Sequence, residues 1–204
     1  MLVLASTSPY RRELLARLHL PFRTEDPAVD ESPQSDEMPA EIAARLACAK
    51  ALAVAARLRE QPVDAADRLV IGSDQVATID GRTPIGKPGT HERAVAQLRA
   101  ASGHSLAFHT ALTVAPLTGG DTLTEVVTTH VRFRTLDDAE IERYLRAETP
   151  YDCAGAAKSE GLGITLLSAI DGPDPTALIG LPLIALCRLL TRTGYPPLAT
   201  PAAN

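Results

Sequence analysis

Residues 69–75 read Leu-Val-Ile-Gly-Ser-Asp-Gln, and this segment sets the fold class that we predict. A short, wholly apolar run followed by polar residues is typical of a strand buried in the sheet of an α/β protein. The run ends at Ser73, so Asp74 is predicted at the carboxyl end of the strand, where α/β enzymes place catalytic groups. There it can deprotonate a water or hold a divalent cation. A turn in which the Asp side chain bonds nearby backbone explains the same residues, and both interpretations stay open here.

A second apolar strand, Leu2–Ala5, also leads into hydroxyl side chains. Ser8 is a suitable N-cap, and Pro9 a suitable first residue, for a helix that begins there. The free N–H groups and the positive end of such a helix, together with the guanidinium of Arg11, favour a bound phosphate. A capped helix with solvated arginines is the alternative.

The rest of the chain alternates between helix and strand patterns. We predict helices over residues 39–59, 90–102, 135–147 and 181–193, and extended segments over residues 22–25, 76–79, 104–115 and 122–134. Thr90 is the expected cap of the second of these helices, and Thr135–Asp138 resembles a capping box that opens the third. The last two strands alternate apolar and polar residues, which indicates an antiparallel hairpin, and a glycine-containing loop is expected between the last two helices. Together these elements predict one α/β domain with a mixed sheet over residues 1–195, and a frayed tail over residues 196–204.

The composition excludes several classes of protein. The formal net charge is −5, whereas sequence-independent DNA binding needs many Lys and Arg contacts, so we expect no nucleic-acid partner. Cys48, Cys153 and Cys187 are far apart, which argues against a disulfide framework and fits a reducing compartment. The apolar N-terminus lacks a basic region and no segment has the roughly 18 apolar residues of a membrane span, so neither a signal peptide nor a membrane partner is expected.

Scattered charges provide further candidates for a site. The carboxylates of Asp30 and Glu31 suit Mg²⁺, and the ammonium groups of Lys50 and Lys87 suit phosphate oxygens. On the predicted helix 39–59, Ile42, Leu46, Ala49 and Ala53 form one apolar face, and Lys50 falls at its border, from which it can point into a cleft. Each of these charges taken alone is equally well explained as a solvated surface group.

The order of the motifs resembles the Maf family of nucleotide pyrophosphatases. The matching segments are residues 5–11 (Ala-Ser-x-Ser-Pro-x-Arg), 29–31, 45–51, 72–75, 86–88, 131–134, 153–155, 160–163 and 179–182. No single segment is very specific, but their order and spacing extend from Leu2 to Leu190.

This resemblance implies a two-lobed α/β fold in which helices flank an elongated, strongly twisted mixed sheet. It implies hydrolysis of a nucleoside triphosphate between the α- and β-phosphates, assisted by a divalent metal cation such as Mg²⁺, Mn²⁺ or Co²⁺. It also implies a cytoplasmic protein that is often a homodimer.

The resemblance also assigns roles to single residues. Asp74 matches the proton acceptor, and Glu31, with Asp74, matches an acidic position near the metal. The positions on the phosphate side of the substrate are matched by Ser6, Ser8, Arg11, Lys50 and Lys87.

Three positions differ from the commonest family pattern: Tyr10 stands in place of Arg, Gln75 in place of Thr, and Glu160 in place of Gln. This trio resembles the family branch that hydrolyses 7-methyl-GTP rather than dTTP and UTP. Because 7-methylguanine is cationic, Tyr10 can stack on it with a cation–π energy of about 0.5–2 kcal/mol. Glu160 can accept hydrogen bonds from the purine N1–H and exocyclic amine. For Tyr10, an aromatic side chain packed on its helix neighbours is the alternative.

Two other functions stay open from the sequence. The substrate can be another nucleotide, such as dTTP, UTP or pseudouridine triphosphate, although Tyr10, Gln75 and Glu160 argue against it. The chain can instead be a nucleotide-binding regulator, for example of septum formation. A carboxylate pair at Glu31 and Asp74 favours an enzyme, because binding alone does not require it.

Overall fold

The computed structural model describes residues 1–32, 34–60, 69–118 and 120–198. Within these ranges the elements are β1 (Leu2–Ala5), α1 (Pro9–Ala16), β2 (Phe22–Glu25), α2 (Pro39–Arg59), β3 (Leu69–Thr78), α3 (His91–Ala101), β4 (Ser105–Pro116), β5 (Leu123–Phe133), α4 (Asp138–Glu148), β6 (Leu167–Asp171) and α5 (Leu183–Arg192). Two short 3₁₀ turns, Ala154–Ala156 and Leu162–Leu166, precede β6. No helix of the described residues has the length and apolar character to cross a membrane.

The strands form one mixed sheet in the order β2-β1-β3-β4-β5-β6. β1 runs parallel to both β2 and β3, and the remaining neighbours are antiparallel. The α/β fold with a mixed sheet and the β4–β5 hairpin are therefore confirmed. The starts of the first and third helices are also confirmed, because the side chains of Ser8 and Thr90 cap α1 and α3.

The length of β3 corrects the prediction that the strand ends before Asp74. Pairing with β1 stops at Ala5 and Gly72, but pairing with β4 continues as far as Thr78 and Ala107. One paired neighbour is enough to keep the chain extended, so Asp74 lies in the middle of a ten-residue strand. Beyond Gly72, no strand of the described residues pairs with β3 on its β1 side, and this gap in the sheet is where a cleft can form.

Side chains alternate along β3 between the two faces of the sheet. Val70 packs with residues of α2 on one face, and Ile71 belongs to the hydrophobic core on the other. Asp74 therefore faces α2, whereas Gln75 faces the opposite side. The side chains of Asp74 and Gln75 can reach one cavity because β1 no longer pairs with this part of β3.

The buried face of α2 differs from the predicted one. Ala49 and Ala53 are only half-buried, and Lys50 is buried instead of lying at the border of the apolar face. The face turns because Ala47 and Ala51 allow α2 to pack closely on Gly72 of β3. Lys50, which lies next to Ala51 and about one turn from Ala47, is thereby directed into the protein.

In the second half of the chain, the structure corrects three predictions: the start of α4, the loop before α5 and the start of α5. The capping box of α4 consists of Asp137 and Glu140, not of Thr135 and Asp138, because the Asp137 and Glu140 side chains satisfy each other's backbone N–H groups. The predicted loop contains β6, a short and mostly exposed strand whose extended form depends on pairing with β5. α5 begins after its N-cap Pro182. Of the predicted tail, only residues 196–198 lie within the described ranges, and they form no helix or strand.

Candidate active site

A cavity of about 550 Å³ lies beside the open edge of β3. Its lining includes most of the site residues that the sequence singled out: Ser6, Ser8, Tyr10, Arg11, Glu31, Lys50, Asp74, Gln75, Lys87 and Glu160. Asp30, the other acidic candidate, does not line it. The lining residues come from the segment after β1, α1, the loop before α2, α2 itself, β3, and loops after β3 and α4. Residues scattered over most of the chain therefore meet at one concave site, of the size typical for small-molecule ligands.

Lys50 lies between the two acidic groups of the cavity. Its Nζ donates to Asp74 Oδ1 and also contacts Glu31 Oε1, each at 2.6 Å. Lys50 and Asp74 are buried, so their charges need this pairing. Because Asp74 Oδ1 and Glu31 Oε1 each lie 2.6 Å from Lys50 Nζ, these two oxygens are at most twice that distance apart.

Glu31 is the more exposed member of this group. Its partial burial acts to raise the pKa of the carboxyl, but the hydrogen bond with Lys50 and the positive charges of Lys87 and Arg11 outweigh this effect. The pKa of Glu31 is therefore below its usual value, and the carboxylate is ionised at neutral pH.

The first turn of α1 forms one wall of the cavity. The Ser8 hydroxyl accepts from Arg11 N at 3.4 Å, and the Ser6 hydroxyl accepts from Ser8 N at 3.1 Å. The Nε of Arg11 donates to the Gly180 carbonyl at 2.9 Å. Burial lowers the pKa of Arg11, while the nearby carboxylates of Asp74 and Glu31 act in the opposite sense. Ser8 thus combines the two interpretations of this segment, since it caps the helix and also lines the cavity.

Lys87 reaches the cavity through a bridge at the far end of β3. Ile85 pairs with Ala77, with its N–H donating to the Ala77 carbonyl at 2.7 Å. This contact brings the next two residues, Gly86 and Lys87, to the same edge as Asp74. In the part of the chain that the structure describes, the exposed Lys87 ammonium has no hydrogen bond or ion pair. It is therefore available to an anion.

Tyr10 and Glu160 also line the cavity. Burial raises the pKa of Tyr10, and the neighbouring Cys153 and Asp152 raise it further. The Nζ of Lys158 lies 5.6 Å from the centre of the Tyr10 ring. The ring thus already contacts one cation within the protein and also lines the cavity, so packing on neighbours and contact with a ligand are compatible.

Cys153 also lines the cavity, and the pKa of its thiol bears on whether it can act as a nucleophile. Burial, with the nearby negative charge of Asp152, raises the pKa of the Cys153 thiol to about 12. The thiol is protonated at neutral pH, which makes it a poor nucleophile. Covalent catalysis through Cys153 is therefore not favoured, and Asp74 stays the candidate catalytic group.

The family of the chain follows from a match over almost its whole length. A family model described as Maf-like protein matches residues 1–193. The chain belongs to the Maf family.

Curated relatives match almost the whole of this Maf-family chain. The 7-methyl-GTP pyrophosphatase of Burkholderia pseudomallei (strain 1710b) is 60% identical over 201 residues, covering 98% of this chain and 91% of the relative. The 7-methyl-GTP pyrophosphatase of Polaromonas sp. (strain JS666) is 58% identical over 193 residues, covering 95% and 84%. Among solved structures, a nucleoside-triphosphatase / dITP/XTP pyrophosphatase from Mycobacterium abscessus aligns with a TM-score of 0.41 at 14% identity, covering 72% of this chain and 95% of that one.

The fold also reveals site residues of this Maf-family chain that the sequence did not single out. Gly180 holds Arg11 through its carbonyl, and Ser73 contacts the same carbonyl. Asp152 lines the cavity, and Lys158 lies over the Tyr10 ring. Gly180 belongs to one of the family motifs, so a signal for it was present, whereas Lys158 lies outside the matched segments.

Proposed function

We propose that this Maf-family chain is a nucleoside triphosphate pyrophosphatase that converts 7-methyl-GTP to 7-methyl-GMP and pyrophosphate. The observation that carries the proposal is the meeting of two carboxylates, Glu31 and Asp74, with the cations Arg11, Lys50 and Lys87 on one cavity. A triphosphate needs cations to bind, and cleavage needs a group that accepts a proton. Both are present at adjoining positions.

The phosphate end of the substrate would lie between α1 and Lys87. Arg11 offers the terminal nitrogens of its guanidinium, which fit phosphate oxygens in a fork geometry. Lys87 offers a mobile ammonium, and the first turn of α1 offers backbone N–H groups at the positive end of a helix. Fixed positive charge of this kind stabilises the charge that develops on the leaving pyrophosphate.

Asp74 is proposed as the general base. Its Oδ1 is bonded to Lys50, and among the described residues Oδ2 has no hydrogen-bond partner. A water at Oδ2 can transfer a proton to the carboxylate as its oxygen bonds to the α-phosphorus. The bond from that phosphorus to the α–β bridging oxygen breaks, and the electron pair leaves with pyrophosphate. Lys50 would hold the carboxylate in place until it takes the proton.

The site can hold a divalent cation through two carboxylates, with the remaining ligands coming from the substrate and water. Within the described ranges, no cluster of three or more His, Cys, Asp and Glu side chains is found. Glu31 and Asp74 therefore offer two carboxylates, and substrate phosphates and water would complete the ligand set, which is how Mg²⁺ is usually bound at phosphates. A bound Mg²⁺, Mn²⁺ or Co²⁺ would neutralise negative charge on the phosphate oxygens.

Tyr10 and Glu160 are proposed to recognise the base. The Tyr10 ring can stack on the cationic purine, and the exposed Glu160 carboxylate can accept from its N1–H and exocyclic amine. The names of the relatives support 7-methyl-GTP over dTTP or UTP. The homodimer, the cytoplasmic location and the domain boundary at residue 195 stay predictions.

A substrate panel tests the function directly. We expect Mg²⁺- or Mn²⁺-dependent release of pyrophosphate, with 7-methyl-GTP preferred over GTP, dTTP and UTP, and with no release after chelation. Equal rates on dTTP and 7-methyl-GTP would refute the proposed substrate. Tight nucleotide binding without any release would favour a regulatory role instead.

Substitution of Glu160 tests how the base is recognised. We expect Glu160→Gln to lower the preference for 7-methyl-GTP over dTTP by roughly ten- to a hundredfold, the value of a hydrogen bond to a charged group. The measurement is the ratio of kcat/KM for the two nucleotides. Glu92→Gln is a matched control, because Glu92 is an exposed glutamate of α3 that does not line the cavity. An unchanged ratio in Glu160→Gln would contradict the role of Glu160.

A further inference from the structure

We propose that Ser73 and Gln75 are positioning residues that hold residues 177–180, here termed the cover segment, so that the Gly180 carbonyl orients Arg11 toward the triphosphate. This inference rests on the proposed function for the nature of the ligand. It differs from the assignment of Gln75, with Tyr10 and Glu160, to substrate specificity, because it places the effect of Gln75 on the phosphate end of the site.

The amide of Gln75 is already committed within the protein. Its Nε2 lies 2.9 Å from Thr110 Oγ1 and 3.0 Å from both the Ala177 and Leu178 carbonyl oxygens. An amide nitrogen has two protons, so three nearby acceptors leave none for a base. Thr110, which is fully buried, donates to the Ala177 carbonyl as well, at 2.9 Å. Side chains of β3 and β4 thus hold the start of the cover segment.

The other end of the cover segment is held by Ser73. Its hydroxyl is fully buried and lies 2.9 Å from the Gly180 carbonyl and 2.8 Å from the Ala111 carbonyl. The same Gly180 oxygen accepts from Arg11 Nε at 2.9 Å. Gly180 has a φ of +122°, a conformation that favours glycine and lets this carbonyl stand against the Arg11 side chain. Ser73 and Arg11 therefore share one acceptor.

This shared acceptor controls the direction of the guanidinium. The group is planar, so fixing Nε at Gly180 restricts the plane in which the two terminal nitrogens lie. Those nitrogens have no hydrogen bond in residues 1–32, 34–60, 69–118 and 120–198, although Arg11 lines the cavity. They are the groups left for phosphate oxygens. A cover segment that shifts would turn this fork away from the triphosphate.

The test uses Ser73→Ala and Gln75→Met, with inorganic tripolyphosphate as a probe that has no base. We expect each variant to weaken tripolyphosphate binding, measured by calorimetry, by roughly three- to tenfold, as for the loss of one or two hydrogen bonds. The values of kcat/KM for 7-methyl-GTP and GTP should fall together, with their ratio constant within about twofold, because the two nucleotides share the triphosphate whose binding is weakened. Thr113→Val is the control, since Thr113 is an equally buried hydroxyl of β4 that bonds Thr124 and does not line the cavity.

A double-mutant cycle with Arg11→Lys distinguishes positioning from general stabilisation. Lysine has no Nε–H that Gly180 could hold, so Ser73→Ala should cause little further loss of tripolyphosphate binding in the Arg11→Lys protein. Additive losses, an equal loss in Thr113→Val, or a changed nucleotide ratio with normal tripolyphosphate binding would each overturn the inference. A wild-type protein that does not bind tripolyphosphate would overturn it too. If the wild type binds tripolyphosphate but cleaves no nucleotide, the proposed function fails, and the cycle still decides the role of Ser73.

Discussion

Asp74→Asn is expected to lower the rate of pyrophosphate release from 7-methyl-GTP by about two to four orders of magnitude, the contribution typical of a general base. Asparagine has the same shape and can still accept from Lys50 through its carbonyl oxygen, but it cannot take a proton from water. Lys50 also keeps its contact with Glu31 at 2.6 Å, so its buried charge stays paired and the fold should persist. The measurement is single-turnover release of pyrophosphate at saturating nucleotide.

The control for this variant is Asp30→Asn. Asp30 is an exposed carboxylate next to Glu31, and it bonds the Ser32 backbone instead of lining the cavity. Its substitution should leave the rate nearly unchanged. Nucleotide affinity of Asp74→Asn should stay close to that of the wild type, which would separate loss of chemistry from loss of binding. Near-normal turnover in Asp74→Asn would exclude Asp74 as the base.

Gly72→Ala is expected to destabilise the protein by about 3 kcal/mol or more, because it overpacks a contact between backbones. A Cβ at Gly72 would lie 2.2 Å from the Ala47 carbonyl oxygen and 2.8 Å from the Ala51 nitrogen. Both atoms belong to the backbone of α2, so the helix as a whole must move away from β3. Since Lys50 lies between them on α2, its contact with Asp74 should lengthen and activity should fall as well.

Denaturant unfolding measures this effect as a lower free energy of unfolding. Gly86→Ala is the matched control, because a Cβ there meets no atom within 4 Å and Gly86 does not have a positive φ. We expect its free energy of unfolding to stay within about 0.5 kcal/mol of the wild type. A Gly72→Ala protein as stable as this control would show that α2 and β3 are not packed as described.

The elements that depend on near neighbours in the chain were predicted well. Ser8 and Thr90 start helices through hydrogen bonds to N–H groups three residues ahead, so their roles can be inferred from a few letters. The start of α4 was misplaced because two overlapping segments both resemble a capping box, and only Asp137 and Glu140 form one. β6 was missed because its extended form depends on β5, which is distant in sequence.

The candidate site likewise has features that could be predicted from the sequence and others that could not. The residue types and their order were enough to name Asp74, Arg11 and the other residues that meet at the cavity. The family model confirmed the resemblance to the Maf family, whereas the roles of the single residues stay predictions. The predicted end of β3 and the predicted buried face of α2 were wrong. The first depends on how far β3 pairs with β4, and the second on how closely α2 approaches Gly72. Neither distance is encoded in a local pattern.

The amino-acid order alone was therefore sufficient for the identity of the chemical groups, the local elements and the family. The pairing of Lys50 with both carboxylates, the commitment of Gln75 to the cover segment and the hold of Gly180 on Arg11 emerged only in the folded chain. The physical reason is the separation of the partners: 24 residues for Lys50 and Asp74, 102 for Gln75 and Ala177, and 169 for Arg11 and Gly180. Contacts over such separations form only when the sheet and helices pack, so they depend on the geometry of the whole domain.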